Sequence, residues 1–108
     1  MILELKDGNV VIELFFEIAP NHVNRLKKLA KEKKYDGVVF HRVIDGFMAQ
    51  TGDVEFGNTN SPNYDLDRSG TGSSKYPDLK AEFSDVPHDR GTLSMARSSD
   101  PNSANSQF

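Results

Sequence analysis

The feature that most restricts the fold of this chain is a pair of Asp-Gly turns, each set between two short segments of β character. The segments are residues 1–5 and 10–16 around Asp7-Gly8, and residues 38–44 and 47–51 around Asp45-Gly46. Apolar residues alternate with polar ones in the first pair, and β-branched and aromatic residues are frequent in the second. Because Asp-Gly is a preferred turn between antiparallel strands, the sequence predicts two hairpins.

The segment between the hairpins has a helical period instead. Its apolar residues recur three and four positions apart, at Val23, Leu26, Leu29 and Ala30. Pro20 suits the first turn of a helix, and lysines concentrate in the last turns, where the helix dipole favours cations. We therefore expect one amphipathic helix from Pro20 to Lys34, with its apolar stripe packed on a sheet.

The second half of the chain is less regular. Residues 57–79 are rich in Gly, Ser, Asn, Asp and Pro, which predicts a long surface loop of the kind that is usually functional or disordered. Residues 81–83 and 92–96 are further short strand candidates, separated by turn-forming residues. Since the chain has neither an internal repeat nor a linker, its 108 residues predict a single, mainly β domain.

Composition and charge exclude several classes of function. With 36% hydrophobic and 27% charged residues, the composition is typical of a soluble globular domain, and a net charge of −3 gives no reason to expect nucleic acid or an anionic membrane as partner. The absence of cysteine excludes disulfides and thiol chemistry, and the three histidines are too scattered for a metal site. Because the first residues include acidic ones and no apolar run has transmembrane length, we expect a cytoplasmic protein.

One segment carries most of the chemical signal. Residues 40–53 place a permanent cation, Arg42, near the large apolar residues Phe47 and Met48 and the amide Gln50. This combination predicts a binding surface that contains a single cation. Taken alone, each of these residue types is more often a surface or core residue than part of a site, so the prediction depends on the pattern as a whole.

The segment Phe40–Asp53 resembles the first signature of the cyclophilins, the peptidyl-prolyl cis-trans isomerases. Residues 91–97 together with residues 105–108 resemble their second signature, and the resemblance runs over essentially the whole chain. It implies a mainly β fold, a closed antiparallel β-barrel with capping helices, which uses no metal and no cofactor. Residues 1–108 are then a single cyclophilin-like domain that is C-terminally incomplete and lacks its last strands and second helix.

The resemblance also implies roles for ten residues. Arg42 and Gln50 match catalytic positions, with Arg42 as a fixed donor to the prolyl nitrogen and Gln50 as a group that bonds the substrate backbone and helps to position Arg42. A guanidinium suits this role because it stays charged and presents several N–H groups in one plane. The positions implied to bind substrate are Phe47, Met48, Gly70, Thr71, Ala96, Arg97, Ser98 and Gln107.

Two departures from the family pattern lie in the second signature. Arg97 stands where eukaryotic members have asparagine and Ser98 where they have alanine, which changes the expected peptide preference and the affinity for the cyclosporin-type cyclic peptide inhibitor. The family's proline pocket also draws residues from positions that would follow Phe108. We therefore expect residues 1–108 alone not to be fully active.

Three explanations of the missing family segment stay open: a piece of a longer chain, which we favour, a truncated form that needs the segment in trans, or a short relative that dimerises.

Two classes of function also stay open. The first is a cytoplasmic peptidyl-prolyl cis-trans isomerase that acts on proline-containing peptides and unfolded protein clients. The alternative is a non-catalytic module that binds proline peptides, or an inactive fragment.

Overall fold

The first hairpin forms, but its turn is at Lys6-Asp7, one residue earlier than the predicted Asp7-Gly8, and Gly8 begins the second strand. In the computed structural model, which describes residues 1–108, β1 spans Ile2–Leu5 and β2 spans Gly8–Val11. The two strands are antiparallel, with Ile2 opposite Val11 and Leu5 opposite Gly8. The second strand is shorter than the predicted residues 10–16, because the ladder ends where Met1 and Ile12 exchange their backbone hydrogen bonds, each of 2.8 Å.

The predicted helix is present and slightly shorter than expected. Helix α1 spans Pro20–Lys31, with proline in its first turn and the apolar stripe buried at Val23, Leu26 and Leu29. It ends three residues before Lys34, because the chain turns into a left-handed conformation at Lys33, where φ is 59°. The amides of residues 32–34 still bond carbonyls of the last turn, which satisfies that end of the helix.

The second hairpin is also shorter than predicted. Strand β3 spans Arg42–Ile44 and strand β4 spans Met48–Gln50, in antiparallel register. Residues 38 and 39 do not extend β3, because they pair with residues 57 and 58 instead, through a bridge and a hydrogen bond of 2.9 Å. The predicted strands 38–44 and 47–51 therefore each contribute three residues to the ladder.

The last residues of the chain return to the second hairpin. Thr51 and Phe108 exchange two backbone hydrogen bonds, of 2.9 and 3.0 Å, directly after β4. Gln107 O accepts a bond of 2.9 Å from the N–H of Ala96, and Leu79 forms a bridge with Ala104. These contacts bring residues 96–98 and 105–107 to one side of the second hairpin, and hydrogen bonds from the Gln107 side chain join the turn at residues 70–72 to them.

Helix α1 holds this returning segment in place. The buried guanidinium of Arg25 donates to the carbonyl oxygens of Pro77, at 2.7 Å, and Asn105, at 3.3 Å. The hydroxyl of Tyr35, just beyond the helix, donates to Ser106 O at 2.7 Å, and its ring packs edge-on against Phe108. Burial raises the pKa of Tyr35 far above its ordinary value.

The strands of this chain do not close into a barrel. They form two separate two-stranded sheets, and the predicted strands 81–83 and 92–96 are wrong, because these segments form no ladder with any neighbour. An open apolar hollow of about 760 Å³ lies between the first hairpin, α1 and residues 81–95. Phe15 and Phe83 at this hollow are 52% and 75% exposed, which shows how much apolar surface remains uncovered.

Residues 57–79 follow a defined path of successive turns. Bonds such as Arg68 N to Asp65 O, at 3.1 Å, and Thr71 N to Arg68 O, at 3.0 Å, link its turns. The ring of the buried Phe56 packs under the guanidinium of Arg68 at 3.9 Å.

Helix α1, the one helix of the chain, is too short to cross a membrane.

Candidate functional site

Arg42 and Gln50 face each other across the second hairpin. They are direct partners in the β3–β4 register, so their side chains lie on the same face of the sheet. Arg42 is exposed, and its guanidinium makes no hydrogen bond or ion pair within the chain. The hairpin therefore presents a free cation beside an amide, the two residues for which the resemblance implies catalytic roles.

The two apolar residues of this segment are placed differently from each other. Met48 lies opposite Ile44 in the ladder, on the same face as Arg42 and Gln50, and is half-buried. Phe47 lies in the turn, where its N–H bonds Ile44 O at 3.0 Å, and its side chain is 75% exposed. Phe47 thus borders this face but is not enclosed in a pocket by residues 1–108.

A polar pocket of about 200 Å³ lies next to Gln50. It brings together seven of the ten predicted site residues, namely Gln50, Gly70, Thr71, Ala96, Arg97, Ser98 and Gln107. Arg42, Phe47 and Met48 do not line it, so Gln50 is the residue that joins the hairpin face to the pocket. Ser103, Asn105 and Ser106, for which no role was predicted, also line it.

The segment at Arg97 offers free backbone groups to this pocket. The backbone N–H and C=O of Arg97 make no hydrogen bond within the chain. Its guanidinium turns back on its own segment, donating to Ser98 O at 2.8 Å, and lies 5.8 Å from the ring of Phe83. A free N–H and a free C=O on one residue are the groups that backbone pairing with an extended peptide requires.

The side-chain amide of Gln107 forms hydrogen bonds along the wall of the pocket. Its Nε2 donates to the carbonyl oxygens of Gly70, at 3.1 Å, and Gly72, at 2.9 Å. Its Oε1 accepts a hydrogen bond of 2.8 Å from Gln50 Nε2. Gln107 thus links the glycine-rich turn at residues 70–72 to the predicted catalytic amide.

Asp53 is a buried residue behind the pocket for which the sequence predicted no role. Its side chain is fully buried, and its carboxylate accepts four backbone N–H groups. Glu55 and Phe56 bond Oδ1 at 3.0 and 2.9 Å, and Gly70 and Gly72 bond Oδ2 at 2.7 and 2.9 Å. Burial opposes ionisation, but these four donors outweigh it and lower the pKa of Asp53 below its ordinary value.

A sequence signal for Asp53 exists in its position. An aspartate in a turn commonly bonds the backbone two residues further on, and Asp53 Oδ1 accepts the N–H groups of Glu55 and Phe56 in this way. The second pair of donors comes from residues 17 and 19 positions away, which no local pattern indicates. The two hydrogen bonds at Oδ1 were therefore predictable from the sequence, and the two from Gly70 and Gly72 at Oδ2 were not.

Close packing explains one glycine of the turn. A Cβ at Gly72 would collide with Asp53 Oδ1 and lie 2.8 Å from Glu55 Cβ, so only glycine lets the turn approach the carboxylate. His41 packs against the same turn, with ring atoms 3.0 and 3.1 Å from the Cβ position of Gly70. Burial lowers the pKa of His41, with Arg42 acting in the same direction and Asp53 against it.

A family model and several relatives match this chain. The model described as cyclophilin type peptidyl-prolyl cis-trans isomerase/CLD matches residues 1–108. A probable peptidyl-prolyl cis-trans isomerase of Brucella suis biovar 1 (strain 1330) is 62% identical over the whole chain, which covers 55% of that relative. Peptidyl-prolyl cis-trans isomerase B of Bacillus subtilis (strain 168) is 39% identical over 93 residues, 85% of this chain and 57% of the relative.

The fold matches a solved structure as well. The crystal structure of cyclophilin AquaCyp293 from Hirschia baltica is 27% identical, with a TM-score of 0.70, over 99% of this chain and 55% of that one. The chain thus spans little more than half the length of the curated and solved relatives described here. The similarity covers both segments that carry the predicted site, residues 40–53 and residues 91–108.

Proposed function

Because this chain belongs to the cyclophilin-type peptidyl-prolyl cis-trans isomerase family, we propose that its protein accelerates the rotation of X-Pro peptide bonds in other proteins. The observation that carries the proposal is the pair Arg42 and Gln50, a free guanidinium beside an amide on one face of the second hairpin. This pair adjoins a polar pocket and free backbone groups that suit an extended peptide.

The reaction asks for selective stabilisation of one state and for no bond cleavage. Rotation about an X-Pro bond has a barrier of roughly 20 kcal/mol, and its uncatalysed half-time is on the order of a hundred seconds. Shortening that time to milliseconds takes about 10⁵-fold, or about 7 kcal/mol of differential stabilisation. In the twisted state the prolyl nitrogen loses conjugation and gains a basic lone pair, so a fixed donor aimed at it stabilises that state selectively.

The roles of the individual residues follow from this chemistry. Arg42 donates to the prolyl nitrogen, and Gln50 bonds the substrate backbone beside it. Met48 and Phe47 provide apolar surface for the proline ring, and the backbone of residues 96–98 pairs with the peptide on the other side of the pocket. The turn at Gly70 and Thr71 borders the peptide groove.

We further propose that the full domain closes into an antiparallel barrel with capping helices. The open hollow of about 760 Å³ supports this, since 15 of its 25 lining residues are hydrophobic and further strands of the domain would cover them. The single-domain organisation is part of the same proposal. Closing the barrel would also supply the remaining wall of the proline site, so we expect residues 1–108 alone to turn over more slowly than the full chain.

The proposed partners follow from the family. They are proline-containing peptides and unfolded protein clients, with the cyclosporin-type cyclic peptide as inhibitor and neither nucleic acid nor a membrane as partner. The net charge of −3 supports the exclusion of nucleic acid, and the absence of cysteine is compatible with the cytoplasm as location.

Exchange NMR on a short Ala-Pro peptide tests the function. The full chain, as its gene encodes it, is added in substoichiometric amount, and cis-trans exchange is measured together with peptide binding. We expect exchange on the millisecond timescale that grows with protein concentration. Saturable binding without faster exchange would instead support the non-catalytic binding module, and absence of both would contradict the proposal.

A further inference from the structure

Gln107 uses both of its N–H donors inside the chain. A primary amide nitrogen carries two N–H groups, and those of Gln107 go to Gly70 O and Gly72 O. The reverse orientation of the amide would set Oε1 against two carbonyl oxygens, which is repulsive. The direction of the Gln107 amide is therefore determined by the glycine-rich turn and leaves no donor for a ligand.

The orientation of the Gln107 amide in turn determines the orientation of the Gln50 amide. Because Oε1 of Gln107 faces Gln50, it must meet a donor, and Gln50 Nε2 supplies it at 2.8 Å. Gln50 Oε1 makes no hydrogen bond within the chain. An amide oxygen only accepts hydrogen bonds, so the free end of Gln50 is matched to an N–H group of the peptide or of Arg42.

Asp53 holds the other side of the same turn. Gly70 and Gly72, whose carbonyl oxygens accept from Gln107, also donate their N–H groups to Asp53 Oδ2. The carboxylate also takes two N–H groups at Oδ1, and only a group without donors accepts all four. Asp53 does not line the pocket, and this turn connects its carboxylate to Gln107.

We infer that Gln107 and Asp53 are positioning residues for the proposed isomerase. The hydrogen bonds from Asp53 through Gly70 and Gly72 to Gln107 fix which end of the Gln50 amide faces the substrate. The inference rests on the proposed function, and it replaces the direct substrate contact that the family resemblance implies for Gln107. Gln107 and Asp53 act on kcat through Gln50 and touch no reacting atom.

The variant Gln107→Glu tests this in the full chain. An ionised glutamate keeps the shape but has no donor, so the carbonyls of Gly70 and Gly72 repel it and the displaced side chain no longer holds the Gln50 amide in its wild-type position. We expect kcat for an Ala-Pro peptide to fall about tenfold at pH 8, with part of it recovered on acidification, since the protonated acid regains one donor. In peptide-free protein, the side-chain NH₂ resonances of Gln50 and the amide resonances of Gly70 and Gly72 shift.

A change in KM alone would contradict the inference. A residue that only contacts substrate would raise KM, leave kcat unchanged, and leave the Gln50, Gly70 and Gly72 resonances of the free protein at their wild-type positions. That result would overturn the inference. If the wild-type protein has no isomerase activity, the proposed function fails, while the peptide-free spectra still decide whether Gln107 orients Gln50.

Asp53→Asn provides a second variant outside the pocket. Asparagine presents an NH₂ group to one pair of the four backbone donors, so we expect faster amide exchange at Gly70 and Gly72 and a several-fold lower kcat, on the order of fivefold. Leu29→Ala is the control, because it destabilises the domain at the fully buried face of α1 and removes none of the hydrogen bonds of the turn. Wild-type kcat in Asp53→Asn, or an equal loss of kcat in Leu29→Ala, contradicts the role of Asp53.

Discussion

The carboxylate of Glu82 accepts a hydrogen bond of 2.9 Å from the backbone N–H of His22. It also accepts the N–H of Asn21 at 3.2 Å, in the same first turn of α1. Ala19, which occupies the N-cap position, has no side chain able to cap the helix. A residue 60 positions further along the chain therefore supplies the cap and its favourable negative charge.

Replacing Glu82 by alanine should destabilise the domain. Loss of the cap leaves two N–H groups of α1 without a protein acceptor, and we expect the free energy of unfolding to fall by about 1 kcal/mol. Chemical denaturation of the full chain measures this change. Glu13→Ala is the matched control, since Glu13 is exposed and makes no hydrogen bond with its side chain. Equal stability of the two variants would show that the contact contributes nothing.

Replacing Arg42 by alanine should remove most of the catalysis and little of the binding. In the proposed mechanism the guanidinium interacts most strongly with the twisted prolyl nitrogen, so we expect kcat/KM to fall about 10²-fold to 10³-fold. The Kd of a proline peptide should rise only a few-fold, on the order of threefold, because the pocket and the Arg97 backbone remain.

Arg42→Lys is the companion variant, because it keeps the charge and loses the planar array of donors. We expect a kcat between those of wild type and Arg42→Ala, if donor geometry matters beyond charge. Exchange NMR and peptide titration on the same samples separate the two effects. Undiminished turnover in Arg42→Ala would remove Arg42 from the mechanism and with it the main support for the proposed function.

The turn at residues 70–72 should loosen in acid. The pKa of Asp53 is lowered in the folded protein, so the unfolded chain binds more protons between the folded pKa and the ordinary value of about 3.9. The stabilisation by Asp53 is therefore fully present above pH about 5 and is lost as pH falls through the folded pKa. Amide exchange at Gly70 and Gly72, followed from pH 6 downward, measures this, with Asp53→Asn as the variant that should lack the transition.

The local elements of the fold could be predicted from the sequence. The Asp-Gly turns indicated both hairpins, and the spacing of Val23, Leu26 and Leu29 indicated α1. Their lengths could not be predicted, because distant segments compete for the same backbone groups. Residues 57 and 58 pair with residues 38 and 39 and so shorten β3, and no local pattern in either segment indicates this pairing.

The candidate site was likewise predictable only in part. Family resemblance identified seven residues that the structure brings to one pocket, including Gln50 and Gln107, which lie 57 positions apart. It gave no role to Asp53, since the significance of a carboxylate depends on which N–H groups surround it. The placement of Phe47 in an exposed turn was also not predicted, because a turn and a strand end have similar composition. The roles of all these residues, and the cytoplasmic location, stay predictions.

The contact between Gly72 and Asp53 should appear as an energetic coupling. Gly72→Ala brings a methyl group against the Asp53 carboxylate, and we expect it to lower the free energy of unfolding by about 1–3 kcal/mol. In an Asp53→Ala background that collision is reduced, although Glu55 Cβ still lies 2.8 Å from the new carbon, so the second substitution should cost less. The double-mutant cycle should therefore give a coupling of about 1 kcal/mol.

A second glycine provides the control for this cycle. Gly91 has a φ of 90° but no atom within 4 Å of its Cβ position, so Gly91→Ala introduces backbone strain without a collision. Its cost should be the same in the wild-type and Asp53→Ala backgrounds. Additive free energies for Gly72→Ala and Asp53→Ala would show that the turn is not packed on the carboxylate, and the series of hydrogen bonds from Asp53 to Gln50 would lose its fixed end.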